Sequence, residues 1–198
     1  MTSYGMNARD HLLLTAQKVF NDFGYRRASM GDVSKAAGVS RQGLYHHFRN
    51  KPELFTAVIE KAHTNTVDKS AQARDAARAR GDDFESIVAA MIDERFGQML
   101  RDLQKTPHRG EIFEETMRRC PHVVLEQTRR FHNLMTELIH AEVAAGRMKL
   151  LPEISADELA IAFATMARGL SLLQPDDLAH LRERYLLHIR LLTRGARA

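Results

Sequence analysis

An all-helical fold is predicted for this chain, with a three-helix helix-turn-helix head at the N-terminus and a larger helical body, about nine helices in all. Three observations predict it. Apolar residues recur at spacings of three and four along nearly the whole sequence, with no convincing alternating strand pattern. Capping residues and helix breakers fall between those periodic stretches. Positive charge is concentrated at the front: residues 1–51 hold eight Lys/Arg against three Asp, and the remainder is close to neutral.

The first helix is expected from about Ala8 to Phe23, burying Leu12, Ala16, Val19, Phe20 and Phe23 and stopping at Gly24. Ser29 starts the second, with Asp32 placed to complete a capping box, and Gly38 suits the left-handed residue that ends it. Ser40 caps the third. Asn50-Lys51-Pro52-Glu53 opens a fourth helix, in which Leu54, Phe55, Val58, Ile59 and Ala62 face inward. An Ala-rich, charged stretch carries it on to Arg80, with Gly81 as the break. Residues 8–54 are thus expected to form the head and 55–198 the body. Further helices are expected at about 83–104, 109–119, 122–145, 156–173 and 177–193, separated by Pro107, Pro121, Pro152 and Pro175. Ser155 and Glu158 make another capping box, and Asp176 is placed to cap the last helix.

The tight Gly38-Val39 turn between two short helices makes a helix-turn-helix on physical grounds. Glycine supplies the backbone angle, Ala36 and Ala37 allow close approach, and Val39 is expected to plug the gap. The third helix is then free to enter a DNA major groove with its N-terminal residues at base edges. A basic head on a near-neutral body is the footprint of a part that meets a polyanion.

The run Ala37-Gly-Val-Ser-Arg-Gln-Gly-Leu-Tyr-His-His-Phe48, followed by Asn50-Lys-Pro-Glu-Leu-Phe55, resembles the recognition-helix signature of TetR-family transcriptional regulators. Phe20, Gly24, Tyr25, Ser29 and Val33 fall at that family's spacing, so the resemblance covers about 50 of the 198 residues. The chain departs from the family at Ser29, where Thr is common, and at Gln42-Gly43, where Gly-Thr or Pro-Thr is frequent.

The resemblance implies a sequence-specific regulator, a ligand-responsive repressor that binds double-stranded DNA. Carried over residue by residue, it makes Arg41 and Gln42 the leading base readers, for guanine and adenine respectively. Gly43 permits close approach to the duplex, and Tyr45 and His46 touch phosphate or a thymine methyl. His47 reads better as a surface histidine. Ser29, Ser40 and Lys51 are candidate phosphate contacts. Leu44 and Phe48 belong to the head core.

One short helix-turn-helix buries little surface, so a homodimer reading a pseudo-palindromic operator is expected. Its candidate interface is the pair of apolar stripes on the last two long helices. Leu159, Phe163, Met166 and Leu170 form one, and Leu181, Tyr185 and Ile189 the other. The family resemblance implies the same four-helix bundle between subunits. It also implies a small-molecule effector in the body, for which Phe96, Met99, Phe113, Met117, Phe131 and Met135 are the candidate lining.

No apolar run approaches the roughly 20 residues that cross a bilayer, and residues 1–10 lack the pattern of a secretory leader, so a cytoplasmic protein without membrane partners is expected. Cys120 stands alone, which excludes an internal disulfide. The spacing of Cys120 from His108, His122, His132 and His140 matches no recognised metal-ligand set, and no metal or cofactor is expected. Neither a phosphate loop, a Gly-x-Ser-x-Gly elbow nor a His-Glu-x-x-His helix is present, so no enzyme is expected. The competing reading is a helical small-molecule-binding or adaptor protein that does not bind DNA.

Overall fold

Helix ends follow the caps written in the sequence. In the computed structural model, which describes residues 7–172, 178 and 180–198, α1 (Ala8–Arg27) opens on Asn7, whose side chain accepts from the Asp10 amide. It bends at Gly24, where φ of +77° reverses the chain before a last turn. That reversal corrects the place of Phe23. Tyr25, not Phe23, packs on Phe20 and Phe55, with ring centroids 5.9 and 4.7 Å away, and Phe23 is left 54% exposed.

α2 (Met30–Ala36) carries the full Ser29–Asp32 capping box, and α3 (Arg41–His47) opens on Ser40, whose hydroxyl oxygen accepts from the Gly43 amide at 3.0 Å. α4 (Lys51–Arg80) starts with the Asn50 side chain accepting from the Glu53 amide and ends at Gly81, φ +76°. α7 (Arg109–Arg119), α8 (Pro121–Ala144) and α9 (Ala156–Leu172) follow their expected bounds within two residues. α10 (Leu181–Ala196) starts later than expected, and Asp176, its expected cap, lies outside the described residues.

The single helix expected at 83–104 is interrupted. α5 (Phe84–Ile92) passes into a π-helical segment, Asp93–Gly97, and then into α6 (Gln98–Gln104). Arg101 grips the Asp93 carboxylate with two bonds of 2.9 and 3.0 Å, and the Asp93 carboxylate occupies the place where any side chain on residue 97 would begin. Glycine at 97 leaves room for that ion pair.

The chain divides into two compact units, and the division differs from the expected boundary at 54/55. The first unit runs to Thr64 and also takes Leu103–Leu125; the second is Asn65–Asp102 with Glu126–Ala198. The first unit gathers α1 to α3, the start of α4, and α7. Its core includes Leu12, Phe20, Val33, Leu44, Phe48 and Phe55, together with Ile112, Cys120 and Val123 from around α7. α7 is tied to the end of α1, where Glu111 accepts from the Arg26 amide at 2.6 Å and the Arg26 guanidinium lies 3.6 Å from Glu114 and from Glu115; Glu115, only 2% exposed, also accepts from Arg118 and Arg119 of its own helix. Burial pushes the Glu115 carboxyl up, but the hydrogen bonds from Arg119 and Arg118 outweigh it and bring it below the usual carboxylate range.

The second unit is built on α5, α9 and α10, with Ser70 of α4 donating to the Met91 carbonyl at 2.9 Å. Its core corrects the expected dimer face. Leu159, Phe163, Leu181, Tyr185 and Ile189 are buried within one chain, and Met166 and Leu170 pack against the same cluster. An amphipathic helix must bury its apolar stripe, and here the neighbouring helices of its own chain cover it. Among the described residues, the large apolar side chains that α9 and α10 leave exposed are Ile161, Leu187 and Leu191.

Among the described residues no helix is long and apolar enough to cross a membrane.

Candidate nucleic-acid interface

The site is made by the turn that joins α2 to α3. Gly38 takes φ +66° with open space around it, and the Val39 amide reaches back to the Ser34 carbonyl at 3.0 Å, so α3 leaves at once in a new direction. Val39, expected to plug the gap, stays partly exposed, while Met30, Val33 and Leu44 fill the core beneath.

α3 has two faces. Leu44 is fully buried, and Phe48 at its C-cap is buried too. Arg41, Gln42, Tyr45 and His46, at positions i, i+1, i+4 and i+5, are all exposed. The structure therefore gathers the four expected base-reading side chains on one open face. Gly43 lies between them. A Cβ there would meet Ser40 Oγ at 3.3 Å, tight against the cap that holds the first turn of α3. His47 is exposed, as expected, and rests at ring contact beside His46 and Phe48.

The three expected phosphate contacts part company. Ser40 uses only its acceptor side in capping. Ser29 spends its hydroxyl proton inside the capping box, donating to the Asp32 carboxylate at 2.6 Å, and that bond together with the Ser29 amide holds Asp32 below its ordinary value. Lys51 is a correction. Its ammonium donates to the carbonyls of Tyr25, Arg26 and Ala28 at 2.9, 3.2 and 2.9 Å, and it lies 4.6 Å from the centre of the Tyr25 ring. Three protons meet three carbonyls left open at the end of α1, so this lysine closes a helix end.

Arg9 was not singled out by the sequence. Its guanidinium lies 5.3 Å from the Phe48 ring centre, which adds an exposed positive charge beside the end of α3. Only its place in the basic N-terminal count hinted at it. The first unit as a whole holds thirteen Lys/Arg against eight Asp/Glu, so the acidic residues of α7 leave its positive surplus intact.

The expected effector lining is scattered. Phe113 and Met117 sit on α7 in the first unit and are exposed. Phe131 and Met135 are core residues of the second unit, and Phe96 meets Phe131 edge to face at 5.7 Å. Met99 is partly buried in the same unit. A shallow groove of about 200 Å³ between α4 and α8 is lined by Val67, Asp68, Ala71, Arg130, Asn133, Leu134 and Glu137, none of them foreseen. An α-helical periodicity reports which residues are covered, not whether protein or ligand covers them.

Residues 12–58 match the family model described as bacterial regulatory proteins, tetR family. The transcriptional activator FasR of Mycolicibacterium smegmatis is 39% identical over 83 residues, 42% of this chain but only 36% of the activator's own length. The transcriptional repressor BepR of Brucella suis is 27% identical over 176 residues, covering 81% of this chain and 77% of the repressor. A solved TetR-family transcriptional regulator from Mesorhizobium loti superposes with a TM-score of 0.77 at 15% identity, covering 96% of this chain and 97% of that one, which establishes a shared fold.

Proposed function

We propose, from the premise that this chain belongs to the tetR family of bacterial regulatory proteins through residues 12–58, that it is a ligand-responsive repressor binding a pseudo-palindromic operator as a homodimer. The observation that carries the reading is the open face of α3. Arg41, Gln42, Tyr45 and His46 stand exposed on a short helix anchored by Leu44 and Phe48, beyond a tight turn, in a unit of positive surplus.

In this reading Arg41 makes the bidentate contact to guanine and Gln42 to adenine. Tyr45 and His46 meet phosphate or a thymine methyl, Gly43 keeps the approach close, and Ser40 offers its unspent proton to a phosphate. Ser29 contributes to α2 as a cap. The second copy adds a second head, and the face proposed for it is Ile161 on α9 with Leu187 and Leu191 on α10. DNA as partner places the protein in the cytoplasm.

The effector belongs to the second unit. Support comes from a polar group set into its interior: Arg95, in the π-helical segment, is only 3% exposed and donates to Thr66 Oγ1 at 3.0 Å. Burial, and then the charge of Arg168, bring its guanidinium down to about 10. π-Helical turns recur where helices serve a function.

Footprinting on the region upstream of the protein's own gene tests the reading. Two protected half-sites about one helical turn apart are expected. Protection that a scrambled duplex competes away equally would refute sequence-specific regulation.

A further inference from the structure

The first turn of α2 lacks a side chain at one position, and an arginine from α3 lies beside it. A Cβ on Gly31 would meet Ser29 Oγ at 3.5 Å and then Arg41 Cζ and Nε at 3.9 and 4.0 Å. The guanidinium of the first residue of α3 therefore lies within ordinary van der Waals contact of a Cβ placed on residue 31. Arg41 itself is exposed, and among the described residues it makes no hydrogen bond or ion pair. It lies beside the first turn of α2 with its donors open.

We propose that Gly31 is a positioning residue for DNA recognition: by carrying no side chain it seats the Arg41 guanidinium across the first turn of α2, which fixes the direction from which Arg41 reads a base pair. The inference rests on the proposed DNA-binding function. An arginine held in one direction without spending its donors gives up less freedom when it binds, and its reach to a single base pair becomes defined. Gly31 touches no base in this account; it acts through Arg41. Alanine at 31 meets the guanidinium only at ordinary contact distance, whereas leucine or glutamine adds three or four heavy atoms beyond Cβ next to it.

The test is selection from duplexes with a randomised core by the wild type, Gly31→Ala, Gly31→Leu, Gly31→Gln, Arg41→Ala and the Arg41→Ala/Gly31→Leu pair, with thermal melts alongside. Each replacement of Gly31 raises helix propensity, so the fold is retained, and using two long side chains guards against one that misfolds. Arg41→Ala should flatten preference at one base pair per half-site. Gly31→Leu and Gly31→Gln should disturb that same base pair and weaken binding about tenfold, within the range of one bidentate base contact. Gly31→Ala should keep the wild-type motif, and Gly31→Leu should cost nothing further once Arg41 is alanine. An unchanged motif in both long variants, a change at a different base pair, or a loss that persists in full without Arg41 would overturn the proposal. If the wild type itself enriches no motif, the DNA-binding reading falls and this inference with it.

Discussion

The ammonium of Lys51 stands over the ring of Tyr25 at 4.6 Å and donates to the Tyr25 carbonyl at 2.9 Å, so one side chain covers an aromatic face and closes the end of α1. Lys51→Met should therefore lower stability by about 2 kcal/mol, in the range of hydrogen bonds to a charged group. Removing a lysine that neutralised a phosphate would instead reduce the log–log slope of DNA affinity against salt by about one. The expected outcome is a lower melting temperature with an unchanged slope.

Glu115 gives the stability of the first unit a pH dependence. Its folded carboxyl lies below the ordinary value, so the stability it adds is complete above the unfolded carboxylate range near about pH 4.3 and is lost as pH falls through the folded value. Denaturant melts from pH 7 down to pH 3 should show Glu115→Gln less stable by about 1–2 kcal/mol at neutral pH, a modest figure because Arg118 is largely exposed. The gap should close on acidification. Equal stability at pH 7 would mean that the buried Glu115 carboxylate adds nothing to the folded state.

Cys120 is fully buried, with Sγ 3.5 Å from Thr56 Oγ1, and burial pushes its thiol up. A thiol in that state is a poor nucleophile. Titration with a chromogenic disulfide at pH 8 should find it unreactive in the folded protein and fully reactive in denaturant. Rapid reaction under native conditions would contradict the burial of this thiol.

Leu187 and Leu191, 57% and 59% exposed, lie one turn apart on α10. Paired replacement by glutamate should halve the mass measured by light scattering at micromolar concentration while helical circular dichroism is retained. Tyr185→Ala should instead unfold the second unit, at a cost of about 3–5 kcal/mol for an emptied aromatic site. A wild type that is already monomeric would reject this face as an interface.

Local chemistry was readable and long-range pairing was not. The caps at Ser29, Ser40, Asn50 and Ser155 and the breaks at Gly38 and Gly81 set helix ends, and Gly24 set a bend where a stop is expected, because each depends on residues within four positions. The two faces of α3 followed from the positions of Leu44 and Phe48. What covers a stripe is another matter: Phe163 and Tyr185 read equally well as interface or core until the packing of α9 on α10 is known. Nor does a lysine at a helix start declare its acceptors, as Lys51 shows. The docking of α7 had a trace in the sequence, Glu111, Glu114 and Glu115 as counterparts for Arg26, but 85 residues separate Glu111 from Arg26 and nothing local joins them. The π-helical segment left no period of its own, because one widened turn inside a long helix preserves the apolar pattern around it.

Whether α3 reads DNA through Arg41 and its neighbours is decided by fluorescence anisotropy. The wild type and Arg41→Ala are compared at two salt concentrations on a duplex from the gene's own upstream region and on a scrambled one. The account predicts tighter binding of the upstream duplex by the wild type, a preference that Arg41→Ala loses while both proteins keep a similar salt-dependent affinity for the scrambled duplex. Absence of binding to either duplex at low salt would contradict it.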